Sequence, residues 1–207
     1  MGLTPGAAGA PKIGVFGGAF DPPHAAHVQL VRQAIAELGL DRVLVIPTGQ
    51  AWHKVRTLSA AAHRLAMTRL AFAAVPQVQV DARETLRSGP SYTVDTLEQI
   101  RQQNPTARLY LLIGEDQARR LSGWHRAGEL TQLAIICVAG RSGSAGDSPG
   151  SAPLPSDESG VRRLQAVPDP ISATVIRERV SRRQGIVPLV GEPVARYIDQ
   201  HHLYQTA

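Results

Sequence analysis

Gly17 to His27 reads Gly-Gly-Ala-Phe-Asp-Pro-Pro-His-Ala-Ala-His and follows a short apolar run, Ile13 to Phe16. A strand, a glycine turn and a pair of histidines at the start of a helix build a phosphate site. The turn lets a ligand approach the backbone, and the helix N-terminus offers unbonded N–H groups and partial positive charge. His24 and His27 stand three residues apart, so their imidazoles share one helix face. Pro22 and Pro23 suit a helix start, where a missing N–H costs little. The segment is not a P-loop, because no Gly-Lys-Ser/Thr ends it. Gly14, Gly17 and Gly18 do not follow the dinucleotide-binding spacing either.

A second anion site is written in Ile171-Ser-Ala-Thr-Val-Ile-Arg177. Ser172 or Thr174 can cap a helix running to about Arg183, ahead of Gly185. Arg177 falls one turn into it, so a hydroxyl, N–H groups and a guanidinium face one anion. Other segments carry single groups. Lys54 puts a mobile point charge in the loop Pro47 to Lys54. Thr93, closing Gly89-Pro-Ser-Tyr-Thr93, sits at a helix start that suits a carboxylate. Asp116, two residues after Gly114, can accept from a ribose hydroxyl or help hold a metal. Trp124 is one of two tryptophans in a chain with 4% aromatic residues; alone, it reads equally as core or as a stacking surface.

These groups need a frame. Ile13–Phe16, Arg42–Ile46, Val78–Val80, Leu109–Ile113 and Leu133–Ala139 read as strands. Ala25–Leu38 reads as an amphipathic helix stopped by Gly39, and Val94–Gln103 as another with Asp95 and Glu98 near its positive end. A third runs from a Ser59 cap to about Ala74. Strands alternating with helices predict an α/β fold, a Rossmann-like doubly wound parallel sheet with right-handed crossovers. Ligands then bind beyond the carboxyl ends of the strands, where the strand order switches. One domain, 12–207, follows a flexible tail at 1–11. Gly140 to Gly160 holds almost no apolar residues and predicts a mobile insertion.

Composition narrows the classes. The formal charge is +5, but arginines are scattered and no basic tract is long enough for a nucleic-acid arm. No apolar stretch is long enough to span a membrane. Cys137 is the only cysteine and lies in an apolar run, which predicts a small buried hydrophobe in a reducing compartment. Met1 to Pro11 lacks the charged start and apolar centre of a signal peptide, so a cytoplasmic protein is expected. Whether the chain forms a homo-oligomer is open at this level.

The two anion motifs, in this order, resemble those of the HxGH nucleotidyltransferase superfamily. The likeness is to the form found in bacterial nicotinate mononucleotide adenylyltransferases, Gly-Gly-Thr-Phe-Asp-Pro-Pro-His-x-Gly-His and Ile-Ser-Ser/Ala-Thr-x-Ile-Arg. It extends from Lys12 to Tyr204. Ala19 replaces the usual threonine and Ala26 the usual glycine, which narrows the room by one methyl. Pro47 to Lys54 resembles the family's Pro-x-x-x-Pro-Pro-His-Lys/Arg loop, with Ala51 and Trp52 in place of the prolines. Pro-Ser-Tyr-Thr93 resembles the segment beside the nicotinate pocket, and Trp124 the stacking tryptophan; His125 replaces a tyrosine.

The resemblance implies transfer of AMP from ATP to nicotinate mononucleotide, giving the deamido dinucleotide and pyrophosphate. It implies catalytic roles for His24, His27, Lys54 and Arg177. Gly17, Gly18, Phe20, Gly114, Asp116, Ser172 and Thr174 would hold ATP. His53, Lys54, Tyr92, Thr93, Trp124 and His125 would hold the mononucleotide. Mg²⁺ would come with ATP, bridging phosphate oxygens through water with few protein carboxylates. The acceptor phosphate is already anionic at neutral pH, so alignment and charge stabilisation suffice, with no covalent enzyme intermediate. Other transferases of the superfamily, with a nicotinamide or phosphopantetheine acceptor, and a non-catalytic nucleotide-binding regulator are the competing readings.

Overall fold

The computed structural model describes residues 9–49, 58–140, 161–165 and 171–205. Six strands are found among them: β1 Lys12–Gly18, β2 Arg42–Pro47, β3 Val78–Val80, β4 Arg108–Gly114, β5 Ile135–Ala139 and β6 Val161–Leu164. All pair in parallel, in the order β3-β2-β1-β4-β5-β6. The order reverses between β1 and β4. Gly17 and Gly18 close one of these strands and Gly114 the other, so both glycine turns open on the crevice at the switch point.

A parallel sheet is covered on both faces, and the side chains of each strand alternate between two cores. Ile13 and Val15 of β1, Leu44 and Ile46 of β2, and Leu109, Leu111 and Ile113 of β4 face one way. There they pack on Val94, Leu97 and Ile100 of helix α3, Thr93–Gln103. Phe16, Val43, Val45, Tyr110, Leu112 and Cys137 face the other way, onto Val31, Ala34 and Leu38 of helix α1, Ala25–Leu38. Gly14 lies on that second face because a Cβ there would come within 2.9 Å of Leu40 and 3.0 Å of Val43. Helix α1 ends at Gly39, whose φ of 62° puts it in the left-handed region as its C-cap.

A third core joins helix α2, Ala61–Phe72, through Met67 to the C-terminal helices: α6 Ala173–Ser181, α7 Val187–Val190 and α8 Glu192–Gln200. Helix α8 buries Val194 and Ile198 there. Two short helices, α4 Glu115–Ala118 and α5 Ala127–Leu133, complete the set.

The structure corrects several boundaries. The cap of α2 is Ala60, not Ser59, whose main-chain N–H is used elsewhere. Leu133 ends α5 and does not begin β5. Strand β6 was not anticipated: Val-Arg-Arg-Leu is short, and only its two ends are buried. Cys137 is fully buried, and burial pushes its thiol up to about 11. Among the described residues no helix is long and apolar enough to cross a membrane.

Candidate active site

The chain from β1 to α1 makes a tight turn. A Cβ on Gly17 would meet nothing, because it would point into open space at the crevice. A Cβ on Gly18 would lie 2.9 Å from the Phe20 ring. Phe20 itself has φ 47°, an uncommon left-handed conformation for a residue with a large side chain, and the Asp21–Pro22 bond is cis. His24 is the N-cap of α1 and His27 its third residue. Their rings stack with centroids 3.7 Å apart. Phe20 stands edge-on to His27 at 5.1 Å, and Phe16 lies at 5.9 Å. The Phe20 ring is 2% exposed. It braces the imidazole more than it faces a ligand.

The His24 main-chain N–H donates to Nδ1 of His27 at 3.2 Å. Nδ1 is therefore the acceptor nitrogen, and the proton of the neutral ring resides on Nε2. His27 is set up with Nε2 as its donor nitrogen.

From the other side of the crevice comes α6. Ser172 is its N-cap, and its Oγ accepts from the Val175 N–H at 3.3 Å. Ser172 does not line the crevice, whereas Ile171, Ala173, Thr174 and Arg177 do. The Arg177 guanidinium donates to the Asp21 carbonyl at 2.8 Å and to Thr174 Oγ1 at 3.1 Å. The second anion motif is thus bonded directly to the first.

The crevice forms one cavity of about 750 Å³. Gly17, Gly18, Phe20, His24, His27, Gly114, Asp116, Thr174 and Arg177 line it, and so do Tyr92, Thr93, Trp124 and His125. Lys54 and His53 lie outside the described residues. On the acceptor side, Thr93 is the first residue of α3, and Tyr92 is its N-cap. The Tyr92 and His125 rings lie 4.2 Å apart at 30°. Trp124 is partly buried and packs on the first core while facing the cavity. The corner after it is fixed by Arg126, at φ 51°, which reaches Glu98, Glu129 and Asp95 at 2.7, 2.6 and 3.5 Å.

Sequence reasoning missed Glu84. Its carboxylate is 7% exposed, lines the cavity and accepts from Thr96 Oγ1 at 2.7 Å. Burial pushes it above the usual carboxylate range, against hydrogen bonds from Thr96 and Thr48 and the charges of Arg87 and Arg83. An acidic side chain in a polar loop gives no advance sign of burial. Gly49 packs against the same residue's backbone, where a Cβ would stand 2.0 Å from the Glu84 carbonyl oxygen. Among the described residues no group of three or more His, Cys, Asp or Glu is arranged to hold a metal. Asp116 is exposed on the cavity wall, whereas Glu115 is paired with Arg119 at 2.7 Å.

A strand order that reverses at a glycine turn, with imidazoles and a guanidinium converging there, defines a nucleotide-transfer fold. Residues 15–179 match the cytidylyltransferase-like family. A protein of Albidiferax ferrireducens described as "Probable nicotinate-nucleotide adenylyltransferase" is 56% identical over 95% of this chain and 99% of its own length. One of Methylibium petroleiphilum with the same description is 42% identical over 93% and 92%. Among solved structures, the nicotinic acid mononucleotide adenylyltransferase of Plasmodium falciparum, complexed with NaAD, has a TM-score of 0.74 at 19% identity. It covers 94% of this chain and 97% of its own, which supports the fold. The chain belongs to the cytidylyltransferase-like family and, within it, to the nicotinate-nucleotide adenylyltransferases.

Proposed function

We propose that this chain transfers AMP from ATP to nicotinate mononucleotide, releasing pyrophosphate, as a cytoplasmic step of NAD synthesis. One observation carries the reading. One cavity is lined both by His24, His27, Thr174 and Arg177 and by Tyr92, Thr93, Trp124 and His125. The first set suits a triphosphate, and the second suits a flat ring bearing an anionic group. The descriptions of the relatives point the same way.

The acceptor phosphate attacks the α-phosphorus of ATP in line. One P–O bond forms and the bond to pyrophosphate breaks. His27 donates its Nε2 proton as a hydrogen bond to a nonbridging oxygen, and His24 supports the same phosphate from the stacked ring. Arg177 and Thr174 hold the departing phosphates, joined by Lys54. Gly17 leaves room for the chain of phosphates to pass close to the backbone. Mg²⁺ arriving with the nucleotide would neutralise phosphate charge, and Asp116, exposed on the cavity wall, would be a carboxylate able to hold it through water. Thr93 and the N-terminus of α3 meet the ring carboxylate, which favours the acid over the amide.

The test is pyrophosphate release with ATP and a panel of acceptors: nicotinate mononucleotide, nicotinamide mononucleotide and phosphopantetheine. Turnover with nicotinate mononucleotide should exceed the others. A clear preference for the nicotinamide form would overturn the assignment of Thr93.

A further inference from the structure

Two buried side chains, Asp21 and Arg64, tie the phosphate turn to distant parts of the chain. Asp21 is 2% exposed. Its Oδ1 accepts from the Tyr204 hydroxyl at 2.6 Å, across 183 residues of sequence, and its Oδ2 accepts from the Ser59 N–H at 3.2 Å. Its carbonyl accepts from Arg177. Arg64, also 2% exposed, donates to the carbonyls of Ala19, Ser59 and Gly49 at 2.9, 2.9 and 3.2 Å. Between Ala19 and Asp21 lies Phe20 at φ 47°. A strained conformation of this kind persists only where its surroundings over-determine it.

We infer that Tyr204 is a positioning residue for adenylyl transfer: its hydroxyl, through the Asp21 carboxylate, sets the turn from which Phe20 braces His27 at the α-phosphate. The inference rests on the adenylyl-transfer reading for its kinetic readout. Tyr204 is itself held in the left-handed region, at φ 63°, and packs against the third core. That core also contains Ile176 of α6, next to Arg177. The C-terminal segment therefore fixes both anion motifs from one place. Its hydroxyl meets Asp21, and its ring packs in the core that seats α6.

Tyr204→Phe removes one oxygen and keeps the ring. It removes the hydroxyl's hydrogen bond to Asp21 Oδ1 and loosens the turn. We expect kcat to fall about tenfold, a barrier change of about 1.4 kcal/mol. Affinity for a nonhydrolysable ATP analogue, read by calorimetry, should fall as well, while KM for the mononucleotide stays within about twofold. Leu203→Ala is the packing control. Leu203 lies in the same core without bonding to the turn. It should lower Tm and leave kcat within about twofold at a temperature well below unfolding. An unchanged kcat and analogue affinity in Tyr204→Phe would overturn the inference, as would an equal kcat loss in Leu203→Ala. If the wild-type chain binds the ATP analogue but does not use nicotinate mononucleotide, the acceptor assignment fails while the analogue affinities still decide the role of Tyr204.

Discussion

The main-chain N–H of His24 donates to Nδ1 of His27. The two histidines of the motif are therefore not equivalent. The backbone of the first selects the tautomer of the second, and Phe20 limits the ring's rotation. That bond leaves Nε2 as the nitrogen that can donate to a phosphate.

This assignment can be tested by amide isosteres. His27→Gln can place an N–H near the Nε2 position, whereas His27→Asn keeps only an acceptor near Nδ1. We expect His27→Ala and His27→Asn to lose about 10²- to 10³-fold in single-turnover rate, the usual cost of one transition-state donor. His27→Gln should retain roughly tenfold more than either. Equal loss in Gln and Asn would argue against Nε2 as the donor.

Gly17 and Gly18 should respond in opposite ways to a methyl group. Gly17→Ala should leave Tm unchanged and raise KM for ATP, because its Cβ would enter the space assigned to phosphates. Gly18→Ala should lower Tm by displacing the Phe20 ring, which lies 2.9 Å from that Cβ. Thermal denaturation and ATP saturation curves, taken together, check both.

Trp124 faces the cavity from the acceptor side. Trp124→Ala should raise KM for the mononucleotide about tenfold, in line with roughly 1–3 kcal/mol for aromatic–base stacking, and change KM for ATP little. Trp124→Phe should recover most of the loss. Parallel weakening of both substrates would mark the tryptophan as a structural element of the first core.

Glu84 gives a stability test with a definite sign. Burial raises its carboxyl in the folded state, so the folded chain binds this proton more tightly than the unfolded chain. Its contribution is most favourable below the unfolded value of about 4.5 and declines as pH rises through the folded value. Glu84→Gln keeps an acceptor for Thr96 without the buried charge. Its Tm relative to wild type should therefore be higher at neutral pH than at pH about 4. Melting curves across that range decide it, and a difference independent of pH would show that burial of the charge is not what matters.

The two cores were legible because they are written locally. The apolar runs of β1, β2 and β4, the apolar stripe of α1, and the stops at Gly39 and Pro47 each lie within a few residues. Pairing across the fold was not. Nothing around Tyr204 announces that its hydroxyl seeks Asp21, and nothing around Arg64 marks it as a buried clamp, since a basic residue on a helix is ordinarily solvated. Helices α4, α5 and α7 have seven residues or fewer, too short for a periodic signal. The Ser172 hydroxyl was read as both cap and phosphate ligand; the structure shows the cap, in which the oxygen accepts and the O–H proton remains to be donated.

Because every strand runs the same way, the functional loops share one rim of the sheet. Among the described residues, the opposite rim, with its turns at Gly39–Asp41 and Asn104–Ala107, carries none of them. Peptide tags, fluorophores or fused partners grafted there would sit on the far side of the molecule from the chemistry, and those are the places to attach a surface anchor or a reporter.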